Sequence, residues 1–174
     1  MSLGDFTGRF FVVLFFAVAA ALAGSALAQE PVGCDKFKWP IDKERALLAV
    51  AVPVALGGDV AQPLAGGVKL ALSPYADAKL PVEPSRAPKA PDSYAGFVHY
   101  GALPQAATYR ITLSEPAWID VVQNGQMAES VAFSGALGCD GIRKSVKFNL
   151  AASPFIIELS GTAAREVAIA VTPD

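Results

Sequence analysis

The second half of the chain alternates. Tyr109, Ile111 and Leu113 are separated by Arg110 and Thr112, and Phe155, Ile157 and Leu159 by Ile156 and Glu158. A period of two marks a strand with one face in a core and the other outside it. Similar stretches predict strands at Phe97–Tyr100, Ala117–Val122, Met127–Phe133, Ser145–Leu150 and Val167–Val171. Turn signals fall between them at Asn124-Gly125, Gly138 to Gly141, Ser153-Pro154 and Gly161. Short strands at about ten-residue spacing, with no helical pattern between them, predict an antiparallel sandwich or barrel rather than a parallel α/β sheet. Asn124-Gly125 is the signal of a two-residue hairpin turn.

The first half is less regular. Val68, Leu70 and Leu72 alternate with Lys69, Ala71 and Ser73, which predicts one more strand. Before it, Cys34 to Pro53 reads as an arm and then a short helix with Asp42 as its N-cap, with a strand over Leu48–Val54 as the rival. Leu47, Leu48 and Val52 would form the apolar stripe of that helix, leaving Lys43, Glu44 and Arg45 in water. Phe37 and Trp39 are expected to dock the arm. Prolines 74, 81, 84, 88 and 91 deny amide donors to the stretch 73–91, which is expected to be an extended surface connector. The residues before it are too few to bury a core alone. The expected organisation is a leader over 1–28, an arm and helix over 29–56 packed on the main body, and a sandwich domain over 57–174. The fold class is all-β: an antiparallel β-sandwich, jelly-roll or Ig-like, with one short N-terminal helix.

The leader changes the picture most. Arg9 is followed by an uncharged apolar run from Phe10 to Ala23, then Gly24 and Ser25, then Ala26-Leu27-Ala28 before Gln29. This is the three-part pattern of a cleaved secretory signal peptide, and the run is shorter than the ~20 residues of a membrane-spanning helix. Val32-Gly33-Cys34 loosely resembles a lipoprotein attachment site, but Pro31 stands where leucine is usual. A periplasmic or secreted protein, free of the membrane after cleavage, is the expectation. Its two cysteines, Cys34 and Cys139, are then expected to bridge in an oxidising compartment.

Composition narrows the chemistry. Fourteen Lys and Arg against sixteen Asp and Glu give a net charge of −2, which lacks the basic footprint of a nucleic-acid binder. One histidine and two cysteines supply no ordinary zinc or iron ligand set, so neither metal nor cofactor is expected. Trp118 and Asp120 share one face of a strand while Ile119 and Val121 share the other. If outward, they would form a platform for a sugar ring, with polysaccharide or an envelope protein as the partner. The competing reading covers Trp118 with the arm or the connector, and gives Asp120 a turn to cap or Arg143 to pair with. Gly138 to Lys144 is a glycine-flanked loop ending in two cations, Arg143 and Lys144, suited to a phosphate or carboxylate. Its plainer role is a tight connection tethered by Cys139, with Arg143 paired to Asp140 or Asp120.

No catalytic set emerges. His99 is expected on the face opposite Phe97, toward solvent, and no G-x-S-x-G elbow exists. Asp120, Glu129, Asp140 and Glu158 offer carboxylates, but nothing in their spacing selects a pair. An exported binding or structural module of the envelope, binding through Trp118, Asp120, Arg143 and Lys144, is the expected function. The alternative is an exported hydrolase or metal-dependent enzyme using Asp120, His99 and Asp140.

The runs FKWPIDKERALLA (37–49), AWIDVVQNG (117–125) and GCDGIRKSVKFNL (138–150) resemble those of a family of small exported proteins of alphaproteobacteria. The resemblance implies export. Some members carry the label homogentisate 1,2-dioxygenase, which implies a mononuclear iron held by two histidines and a carboxylate. With His99 as the sole histidine, no residue of such a site carries over.

Overall fold

The computed structural model describes residues 30–174; the leader lies outside the described residues. Helix α1 spans Asp42–Ala49, and twelve strands follow. They are β1 (Val52–Val54), β2 (Asp59–Val60), β3 (Val68–Ala71), β4 (Ser73–Pro74), β5 (Tyr94–Tyr100) and β6 (Ala107–Leu113). The remainder are β7 (Trp118–Gln123), β8 (Gln126–Met127), β9 (Ser130–Gly135), β10 (Lys144–Leu150), β11 (Phe155–Thr162) and β12 (Glu166–Pro173). They form two sheets. Sheet one has the order β1-β3-β12-β6-β10-β9, and sheet two the order β2-β5-β11-β7-β8, with β4 also paired to β5.

The alternating residues meet between the sheets. Leu70, Ile111, Leu113, Val167 and Ile169 of sheet one face Val98, Val121, Ile157 and Leu159 of sheet two in one continuous buried cluster. This is the all-β sandwich that the period of two predicts. Its interior pairings are antiparallel, and each sheet gains a parallel pairing at one edge, β1 with β3 and β2 with β5. Both edge strands reach their places by crossing over rather than by hairpin, and a crossover brings strands in parallel.

Asn124 and Gly125 both have positive φ, 54° and 75°, the backbone of a type I′ turn, and they join β7 to β8 as expected. The stretch Met127–Phe133 is not one strand. Its start, β8, pairs in sheet two, while β9 pairs with β10 in sheet one, so the chain changes layer at Ala128-Glu129.

The outer face of sheet one is covered by the arm and α1. Cys34 is bonded to Cys139, joining the arm to the β9–β10 connection across 105 residues of sequence. Ile41 and Leu48 pack on Ala168 and Ala170 of β12, with Phe37 and Trp39 alongside. Gly67 lets β3 begin against the helix, since a Cβ there would collide with the Leu47 carbonyl oxygen. Three details of the expected helix change. Ile41 holds the N-cap position and Asp42 is the first helical residue. Val52 is largely exposed, as part of β1, so the helix takes Leu48 and Ala49 and only Val52–Val54 of the rival strand forms after it. Glu44 is buried, not wet. One Glu44 carboxylate oxygen accepts from Arg110 Nη1 at 3.3 Å and from Thr172 Oγ1 at 2.6 Å, and Arg110 Nε also bonds Asp174 at 2.8 Å. A buried carboxylate is tolerated when paired and hydrogen-bonded, as this one is.

The outer face of sheet two is covered by the proline-rich connector. Tyr75 N–H donates to Ser93 O at 2.9 Å, so the ends of 75–93 meet and the connector is a closed loop hung from β4 and β5.

Candidate functional site

Alternation along β7 and β11 places Trp118, Asp120, Glu158 and Ser160 on the outer face of sheet two. Register pairs Asp120 with Glu158 and Trp118 with Ser160 directly across the strands. The loop folds onto this row. Ser85 donates to Asp120 from its amide at 3.1 Å and also from its hydroxyl. Val82 N–H donates to Glu158 Oε1 at 3.0 Å. Trp118 Nε1–H lies within bonding distance of both Ser85 Oγ at 2.9 Å and Asp120 Oδ1 at 3.1 Å. Asp120 is therefore 7% exposed and Glu158 1% exposed.

The two carboxylates differ in how well they are satisfied. Asp120 collects donors from Ser85 and Trp118, while Glu158 Oε2 is buried with no partner among the described residues. Burial pushes the Glu158 carboxyl above the ordinary carboxylate range and the neighbouring Asp120 pushes it further, against the opposing pull of the Val82 N–H.

Beyond Ser85 the loop supplies Arg86 and Lys89 to one wall of an open cleft of about 750 Å³. The cleft is also lined by Phe133 of β9, by Arg143 just before β10 and Lys144 at its start, by Trp118 of β7 and by Glu30. The Arg86 guanidinium and the Lys144 ammonium lie 5.1 and 5.2 Å from the Trp118 ring centre, within cation–π reach. Lys144 Nζ also donates to Ala117 O at 3.0 Å. Burial pulls the Lys144 ammonium below its ordinary pKa, and Arg143 and Arg86 lower it further, against Asp120. Arg143 pairs with Glu30, a residue that is itself mostly exposed.

Of the four residues expected to bind ligand, Trp118, Arg143 and Lys144 line this cleft and Asp120 does not. Asp120 faces outward as expected, but the connector lies over it and occupies its oxygens. The Trp118 ring is not an open sugar platform either: it is half-buried, its N–H is engaged, and two cations rest against it. Arg143 pairs with Glu30 rather than with Asp140 or Asp120. The glycine loop contributes its cations and not its tip: Cys139 is tied to Cys34, Ile142 is buried, and Gly138 and Gly141 stand outside the cleft.

The alternative enzyme residues are spread apart. His99 shares the outer face with Phe97, their rings edge-on at 5.4 Å, because residues two apart on a strand point the same way. Strand β11 lies between His99 on β5 and Asp120 on β7, which separates them by about 10 Å at ordinary strand spacing. Asp140 sits in the β9–β10 connection beside Arg45, Lys69 and Glu166. Among the described residues no three His, Cys, Asp or Glu side chains are grouped to hold a metal ion.

Arg86, Lys89 and Glu158 were not singled out as contacts by the sequence pattern. Arg86 and Lys89 lie in a segment without periodicity, and the partnership of Glu158 with Asp120 depends on a register that only pairing reveals. The one available signal is phase: Glu158 alternates with Ile157 and Leu159, which places it outside the core. No protein family, curated protein or solved structure matches the chain.

Proposed function

We propose that the protein is an exported, non-enzymatic binding module of the cell envelope, and that it holds an anionic polysaccharide segment in the Trp118 cleft. One observation carries this reading. Among the described residues, four cations, Arg86, Lys89, Arg143 and Lys144, line an open cleft with one lining carboxylate, Glu30, paired to Arg143, and with Asp120 acting on Lys144 from beneath the connector, in a chain of net charge −2. Cations gathered in one place raise each other's energy, and an anion bound there relieves it. Arg143 offers a planar fork to a carboxylate, and Lys144 a point charge held by Trp118 and Ala117 O. The exposed Phe133 ring suits the ring face of a sugar, and the cleft volume lies within the ordinary range for small-ligand sites. Export is supported by the leader pattern, by the resemblance to exported proteins and by a disulfide of the kind that persists in oxidising compartments.

The test uses protein recovered from an exporting host. Its intact mass should correspond to loss of residues 1–28 and to bridged cysteines. Tryptophan fluorescence titrated with oligogalacturonate should then show saturable, salt-sensitive binding. Arg143→Ala and Lys144→Ala should each weaken it by about tenfold, the scale of one charge-assisted hydrogen bond. Equal affinity of both variants and the unaltered protein, or no binding of oligogalacturonate, sinks the proposal.

A further inference from the structure

The loop that forms one wall of the cleft is held down in an unusual way. Its base is closed by the Tyr75–Ser93 bond, and between Pro81 and Lys89 its hydrogen bonds to the sheet run from Val82 to Glu158, from Ser85 to Asp120 and from Trp118 Nε1 to Ser85 Oγ. Arg86 follows Ser85 directly and Lys89 comes three residues later, so the two attachments also set where both cations stand. The anchoring carboxylates face each other across β7 and β11, both removed from water, and one oxygen of Glu158 has no donor.

We propose that Asp120 and Glu158 are a clasp that positions Arg86 and Lys89 in the cleft, closed when Glu158 takes up a proton and loosened when both carboxylates are ionised. Two buried negative charges in direct cross-strand register repel, and neutralising one removes that repulsion while Oε1 still accepts from Val82. Lifting the loop returns Glu158 to water and to an ordinary carboxylate pKa. Closing therefore takes up a proton over the window between the ordinary and the raised value, and a fall in pH through that window favours closure. The charged groups around Glu158 are few. Asp120 comes from β7 and Lys144 from β10; Glu83 and Arg86 come from the loop, both exposed; His99 lies diagonally on β5, beside Phe97, which is paired with Glu158.

The motion is read without a ligand, and only its consequence for binding rests on the proposed function. Amide exchange of the 80–90 segment, corrected for chemical rates, is compared at about pH 5 and about pH 7.5. The Val82 and Ser85 amides should be protected several-fold more strongly at the lower pH. In Glu158→Gln that protection should be high and equal at both pH values, and Glu158→Asp should restore the step. Core amides of Ile157 and Leu159 report whether each variant is folded. If Glu158→Gln fails to fold, the wild-type step and its return in Glu158→Asp carry the decision. Equal wild-type protection at both pH values, or a step that persists in Glu158→Gln, overturns the clasp. Oligogalacturonate binding is titrated in parallel and should tighten at the lower pH in wild type only. A pH step in exchange with no binding at either pH defeats the cleft as a site and leaves the clasp standing.

Discussion

Sheet one carries the arm and α1 on its outer face; sheet two carries the Tyr75–Ser93 loop. The first cover is fixed by a disulfide, by Ile41 and Leu48 buried on Ala168 and Ala170, and by Glu44 placed between Arg110 and Thr172. The second is fixed mainly by amides and one hydroxyl reaching two carboxylates. Each cover buries a glutamate on the outer face of a sheet, but Glu44 meets a cation and a hydroxyl while Glu158 meets one amide and another carboxylate. Covers of the first kind hold an element in place under any ordinary condition. Covers of the second kind depend on the charge state of what lies beneath, and this is the side that borders the cleft.

Four perturbations separate the two sides. Replacing both Cys34 and Cys139 by serine should have the largest effect, a loss of about 4 kcal/mol from releasing a loop of roughly 100 residues. Urea unfolding measures it, and amide exchange should rise across the arm and α1 while the 75–93 loop keeps its protection. Glu44→Ala should come next, costing about 2 kcal/mol, because it removes the charge-assisted bonds of Glu44 and leaves the half-buried Arg110 with Asp174 as its remaining anion. Ser85→Ala should cost about 1.5 kcal/mol, because its hydroxyl both donates to Asp120 and accepts from Trp118, and speed local exchange of the loop without moving the core.

Glu158→Gln should have the smallest effect, and of opposite sign: about 1 kcal/mol of added stability at neutral pH. The sign follows from the raised pKa in the folded state. Wild-type stability is favoured below the ordinary glutamate value and is lost as pH rises through the raised one, so the variant's advantage should vanish in acid. Stability measured against pH on both proteins checks this. Equal slopes would remove the distinction between the two covers.

The sandwich was legible because its core residues alternate on strands long enough to show a period, as in Tyr109–Leu113 and Phe155–Leu159. Asn124-Gly125 was legible because only a few residue types accept positive φ twice in a row. The burial of Glu44 was not, since a charged residue on a helix reads as wet until Arg110 and Thr172 are known to lie beneath it. The layer change at Ala128-Glu129 was hidden because Met127–Phe133 reads as one continuous strand. Trp118, Arg143 and Lys144, which line the cleft, were singled out in the sequence through side-chain chemistry alone. Asp120 faces outward as its phase predicts, but its cover was not legible, because five prolines make the connector extended and do not aim it.

Those prolines have one more consequence. A strand added to a sheet is released only by unzipping a ladder of bonds in sequence, whereas Pro81, Pro84 and Pro88 can donate to no ladder. What remains over sheet two is a ribbon on two hooks, Val82 and Ser85, set three residues apart. Such a ribbon detaches in a step or two, so its lifting can be quick without disturbing the pleated layer below.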